Sequence, residues 1–240
     1  MRDQYAGDVS DMLKFAFLRA LADKDRTLGV AWYYAPENDR RLDGKHLEWR
    51  EELAWKKLDP TLFDGLSSLS DRSVDALEKA PIWPLRTIFH QEPMPNPLVR
   101  HEWSARTRSC LDEASLVFLD PDNGLGTDPE KHATFVEVGH FRRSGRTVVF
   151  ITFPKRVPHA LQIEQLHERL KIEANAQSVV TLCTNVSVPT APGSRRYVQR
   201  PRWFTMIDAD AILVSRARIF ADAVSIVPHV KAKLIADDLH

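Results

Sequence analysis

The stretch LVFLDPDNGLG, residues 116–126, begins as an unbroken apolar run and ends on two carboxylates, a proline, an asparagine and two glycines. A short apolar run bounded by turn residues reads as a strand buried on both faces, of the kind found inside parallel sheets. Working outward, similar signals recur at LGVAWYYAP (28–36), LRTIFHQ (85–91), TVVFITF (147–153), SVVTLC (178–183) and WFTMID (203–208). Between them lie segments with helical spacing. The first is DMLKFAFLRALADK (11–24), with Asp8 or Ser10 as its N-cap, and others run over about 98–113, 129–141, 159–172 and 209–224.

Strands alternating with helices predict parallel strands joined by crossover helices. The expectation is an α/β chain: a three-layer, Rossmann-like sandwich with a mostly parallel sheet, residues 1–240 forming one domain with a helical insertion near 46–80. EPMPNP (92–97) reads as extended loop, because its prolines lack amide donors and restrict their predecessors. The polar stretch NVSVPTAPGSRRYVQRPR (185–202) reads as an interruption between two strands.

Composition narrows the function classes. Lys plus Arg equals Asp plus Glu at 33 each, so no net charge draws the chain toward nucleic acid or acidic membranes, and any polyanion site must be a local patch. Cys110 and Cys183 have no spacing suited to zinc or a redox dithiol, MRDQYAGDVS lacks an apolar leader core, and no apolar run spans a bilayer. The chain is expected in the cytoplasm, with no membrane partner. Nine histidines are scattered without metal-ligand spacing, and neither a P-loop nor a serine-nucleophile elbow is present.

In open α/β sheets ligands sit beyond the carboxyl ends of the strands, where LDPDNGLG falls. Asp120, Asp122 and Asn123 supply acceptors and an amide donor, Pro121 stiffens the turn, and Gly124 and Gly126 permit close approach. Two carboxylates so near each other are expected to push their proton affinities apart. The plainer reading is a turn built by Asp122, Asn123 and Gly124. In YAGDVSDMLK, Asp8, Asp11 and Lys14 place carboxylates and a cation at a helix start, for a substrate anion or simply for capping and an i,i+3 ion pair. The loop after residue 36 has one glycine, Gly44, too few for a standard dinucleotide or nucleoside cofactor turn. Two basic segments, Lys155 and Arg156 in FPKRVPH and Arg195, Arg196, Tyr197, Arg200, Arg202 and Trp203 near the chain's last quarter, combine phosphate-binding cations with rings that stack on bases.

YAGDVSDMLKFAFLRAL (5–21) together with VFLDPDNGL (117–125) resembles a family of small, mostly uncharacterised bacterial and phage-associated proteins with Y-x-G-D-x-x-D-x-x-K and L-D-P-D-N-G-L motifs. That resemblance implies a setting in anti-phage defence. More distantly, Gly7, Asp11, Leu13 and Lys14 are similar to the opening of ribosomal-RNA adenine-N6 methyltransferases, with Asp120 and Pro121 falling on the family's Asp-Pro-Pro-Tyr motif. This implies a Rossmann-like scaffold that uses S-adenosylmethionine on a base. Here Asp122 and Asn123 replace the second proline and the tyrosine. Asp120, Pro121 and Asn123 also resemble, more weakly, the Asp-Pro turn and base-reading asparagine of the uracil-DNA glycosylase superfamily.

The leading expectation is a cofactor-independent hydrolase on nucleic acid, DNA rather than RNA: an N-glycosylase that excises a flipped base, with Asp120, Asp122 and Asn123 catalytic and the basic segments, Asp8, Asp11 and Lys14 on substrate. Two alternatives are a methyltransferase with a degenerate S-adenosylmethionine loop and a nuclease with magnesium on Asp8, Asp120 and Asp122. A non-catalytic binding protein with an enzyme-like fold is the third.

Overall fold

The computed structural model describes residues 1–36, 46–130, 132–155, 157–190 and 194–236. Seven strands form one sheet: β1 (Leu28–Ala31), β2 (Ile88–His90), β3 (Leu116–Leu119), β4 (Thr147–Thr152), β5 (Val179–Pro189), β6 (Tyr197–Ile207) and β7 (Val230–Ala236), in the order β2-β1-β3-β4-β6-β5-β7. The pairs β2/β1, β1/β3 and β3/β4 are parallel, whereas β4/β6, β6/β5 and β5/β7 are antiparallel. The expected mostly parallel sheet is therefore correct for the half that contains β3, and the other half is antiparallel. Every residue of β1 and β3 is buried, which is why these strands read as continuous apolar runs.

Helices cover both faces. On one, α1 (Val9–Ala22), α2 (Leu53–Leu58), α3 (Pro60–Ser67), α4 (Val74–Lys79) and α8 (Ala211–Val224) share a core with Val30, Phe118, Ile151, Leu182 and Phe204. On the other, α5 (Arg100–Cys110), α6 (Phe135–His140) and α7 (His159–Glu173) pack with Val117, Leu119, Phe150 and Ile207. The helical segment expected near 46–80 contributes Trp49, Trp55, Leu62 and Leu66 to the first core.

Two boundaries differ from the sequence reading in ways that shape the site. The first strand stops at Ala31 rather than running to Pro36, because Tyr33 takes a positive φ of 44°, incompatible with a continuing strand. The polar stretch 185–202 is not an interruption: β5 continues to Pro189 and β6 begins at Tyr197, so most of it is hairpin. Pro201, paired with Asn185, is tolerated because β4 ends at Thr152, opposite Trp203, and among the described residues one side of β6 beyond that point has no neighbouring strand. β7, which carries alternating exposed lysines, has no counterpart among the expected strands.

Candidate functional site

The carboxyl ends of β3 and β4, the start of α1 and Arg202 of β6 enclose a cavity of about 380 Å³ lined by Asp8, Asp11, Lys14, Asp120, Asp122, Asn123 and Arg202, with Tyr5 and Phe153 as its aromatic wall. The two sequence motifs, 106 positions apart, are joined by one cation. Lys14 Nζ donates to Asp11 Oδ1 at 2.7 Å and to Asp120 Oδ2 at 2.9 Å, and all three side chains are almost fully buried.

Each member is fixed by local structure. Asp8 is the N-cap of α1, accepting from the Ser10 and Asp11 amides at 2.8 and 3.1 Å. Gly7, at φ +74°, turns its own amide onto Asp11 Oδ2 at 2.8 Å. The capping and ion-pair reading of this segment is thus correct, and Lys14 does one thing more by reaching across to β3. At the other motif Asp120 leaves the sheet as its amide donates to the Ala31 carbonyl at 2.9 Å, and Pro121 O accepts from Gly124 N at 3.3 Å to close the turn. Gly124, at φ +79°, lies where a Cβ would come within 3.0 Å of Thr152 Cα, so the turn is pressed onto the end of β4.

The two neighbouring carboxylates do not confront one another. Asp120 is met by Lys14, and Asp122 Oδ2 accepts from Arg2 Nε at 3.0 Å. Burial raises the proton affinity of Asp120 against the opposing pull of Lys14, and Asp11 behaves alike. Asp8 is raised by burial, with Arg202 and Lys14 opposing. Burial pushes Lys14 down, yet Asp11 and Asp120 outweigh it and the ammonium ends above the usual lysine range. Among the described residues no donor reaches Asp120 Oδ1, which leaves that oxygen for the cavity.

Of the expected site residues, the structure brings Asp8, Asp11, Lys14, Asp120, Asp122, Asn123 and Arg202 into one wall. Arg202 donates to Ser10 Oγ at 3.0 Å and lies 4.8 Å from the centre of the Phe153 ring. Arg195, Arg196 and Tyr197 are exposed and Arg200 half-buried on the hairpin, while Lys155 is exposed in the loop after β4. Arg156 lies outside the described residues. Trp203 is a correction: its side chain is 2% exposed in the α7-side core, edge-on to His159, and offers no face to a base. Its place opposite Thr152, one residue along from Arg202, sends it to the other face of the sheet. Arg2 and Phe153 were not singled out in the sequence, and Tyr5 and Ser10 entered only as a motif residue and a cap candidate. Phe153 follows β4 directly, so the strand-end rule could have found it, but nothing local marks Arg2.

Two cofactor alternatives meet this geometry differently. Among the described residues no three His, Cys, Asp or Glu side chains gather as metal ligands, since Asp120 and Asp122 turn to separate cations. The segment after β1 does not fit S-adenosylmethionine as a glycine-rich turn would. Trp32 and Tyr33 are buried there, and their carbonyls accept from the Met1 amine at 3.1 and 2.9 Å. Arg100, held between the Tyr33 and Trp103 rings and paired with Glu137 at 2.6 Å, locks that bulk in place.

No family model matches the chain, and no curated protein matches it. Among solved structures it is similar to protein LPL1258 from Legionella pneumophila str. Philadelphia 1, of the family DUF519, at a TM-score of 0.54 and 12% identity over 98% of this chain and 99% of that one. At that identity the likeness concerns the fold alone. Among the described residues no helix is long and apolar enough to cross a membrane.

Proposed function

We propose that the protein is a cofactor-independent hydrolase of the N-glycosidic bond in nucleic acid, working at the Asp120 cavity on a Rossmann-like scaffold. One observation carries the reading: a cavity of nucleobase scale at the strand ends is walled by four carboxylates, Asp8, Asp11, Asp120 and Asp122, and by a ring, Phe153, already used as a cation platform. Cleavage of a glycosidic bond builds positive charge on the sugar, and fixed carboxylates in a site shielded from water stabilise that charge.

In this reading Lys14 keeps Asp120 ionised despite its burial, and Asp120 Oδ1 faces the developing cation. Asp122, nearer the rim, orients the attacking water. The C1′–N bond breaks with its electron pair leaving on the base, the water oxygen bonds to C1′, and its proton passes to Asp122 while the departing base takes a proton from solvent. Asn123, exposed at the rim, offers an amide to a base edge. Arg202 and the hairpin arginines meet the phosphates.

The test incubates purified protein, without cofactor, with normal and base-modified DNA, followed by alkali and a denaturing gel. Alkali-dependent breaks that vanish in D122N and D120N, with unchanged melting of D122N, are the expected result. Wild-type breaks that persist in both variants refute the assignment. Absence of breaks together with methyl transfer from added S-adenosylmethionine would replace it with the methyltransferase reading.

A further inference from the structure

The β5–β6 hairpin overshoots β4. Trp203 pairs with the last residue of β4, so residues 197–202 run beyond that strand's end on the side where the cavity opens, flanked across β5 by β7 only as far as Arg200, a reach of about 20 Å at the usual rise per residue. At the cavity end stands Arg202. At the far end Tyr197, 47% exposed, stacks on His229 with ring centres 4.7 Å apart and planes 20° from parallel. His229 holds a positive φ of 65°, and its carbonyl accepts from Ser187 N of β5 at 2.8 Å. A crevice of about 110 Å³ beside the pair is lined by Trp49, Trp55, Pro189 and Pro228.

Charge along this arm is unbalanced. Arg195, Arg196 and Arg200 have no carboxylate partner among the described residues, and the charge of Arg202 is disfavoured by burial, with Asp8 opposing and Arg200 adding to it. Guanidinium groups left unpaired on β6 at Arg200 and just before it at Arg195 and Arg196, beside a stacked pair of rings, match a polyanion that carries flat apolar units. A duplex buries its base faces in its own stack and cannot use such a platform.

We infer that the hairpin is a binding arm for single-stranded nucleic acid: the strand enters the cavity at Arg202, its phosphates follow Arg200, Arg196 and Arg195, and a base several nucleotides away stacks on Tyr197 and His229. The inference rests on the nucleic-acid reading of the cavity and narrows its substrate to an extended single strand.

Fluorescence anisotropy with labelled single-stranded DNA of three and of twelve nucleotides, and with a twelve-pair duplex, tests it without chemistry. The wild type is expected to bind the long single strand well above the other two. Y197A is expected to weaken that binding between about five- and a hundredfold, leaving the three-nucleotide probe unaffected. H229N, which removes the stacked ring while tolerating the positive φ, should weaken it in the same direction. R195A/R196A should lower the slope of log affinity against log salt by about 1.4. Equal long-strand binding by Y197A and wild type, or duplex binding as tight as single-strand binding, overturns the inference. Tyr197-dependent binding without base excision would leave the arm standing and remove the hydrolase, whereas excision with Tyr197-independent binding would do the reverse.

Discussion

Replacing Lys14 by methionine isolates the ion that ties the two motifs together. The side chain is nearly isosteric and fills the same space, so what is lost is charge. Asp11 and Asp120, 1% and 3% exposed, are then buried without their cation. Removing one partner from a buried ion pair costs roughly 3–5 kcal/mol, and here one cation serves two acids. The loss should depend on pH with a definite sign. In the variant both carboxyl groups are raised by burial with no lysine to oppose it, so the folded state binds protons that the unfolded state releases. Stability therefore falls as pH rises, by up to about 1.4 kcal/mol per unit for each proton involved. Above the ordinary carboxylate range, each unit by which the pH is lowered therefore returns part of the defect. At its lysine the wild type loses stability in the same direction but at far higher pH: stability contributed by the raised Lys14 is complete below the ordinary lysine range and is lost only as pH climbs through the higher folded value. Urea unfolding of both proteins between the carboxylate and the lysine ranges measures the difference. A K14M defect of equal size at both ends would refute the reasoning, because it would mean that the buried acids are not charged partners of Lys14.

Two further outcomes follow from particular positions. G124A should destabilise by about 1–3 kcal/mol, because φ is +79° and the new Cβ would lie 3.0 Å from Thr152 Cα and 3.2 Å from the Phe153 amide; a thermal melt matching wild type would deny the close contact. The Cys183 thiol is pushed up to about 12 by burial, with Lys233 opposing, so a thiol reagent near pH 8 should leave it unmodified until the protein unfolds; labelling at the rate of a free thiol would contradict this.

In the parallel half β1, β3 and β4 were legible because they are buried on both faces and need only apolar residues. Leu116–Leu119 is the observed extent of β3, and Thr147–Thr152 differs from expectation by one residue. In the antiparallel half only the start of β5 and the end of β6 were legible, since Pro189 and Pro201 and the run of arginines are turn and surface signals in any local window. Only the early end of β4 and the pairing of Asn185 with Pro201 make them compatible with strands. In the site, motif spacing suggested what Asp8, Asp11 and Asp120 are, but a bond between Lys14 and Asp120 is a fact of topology. Trp203 was misplaced because a run such as RPRWF shows its composition without showing which side of the sheet each residue faces.

The order β4-β6-β5 has a consequence for how the chain is made. β6 lies between two strands that both leave the ribosome before it does. Until residue 207 is available, the amides and carbonyls along one side of Thr147–Thr152 have no partner, and that strand is one of the most apolar in the protein. An interrupted chain that ends before Tyr197 would thus present an open, sticky edge at the centre of the future sheet, the kind of surface that recruits other chains. The late hairpin that carries the arginines is also the piece that seals the molecule against its own kind.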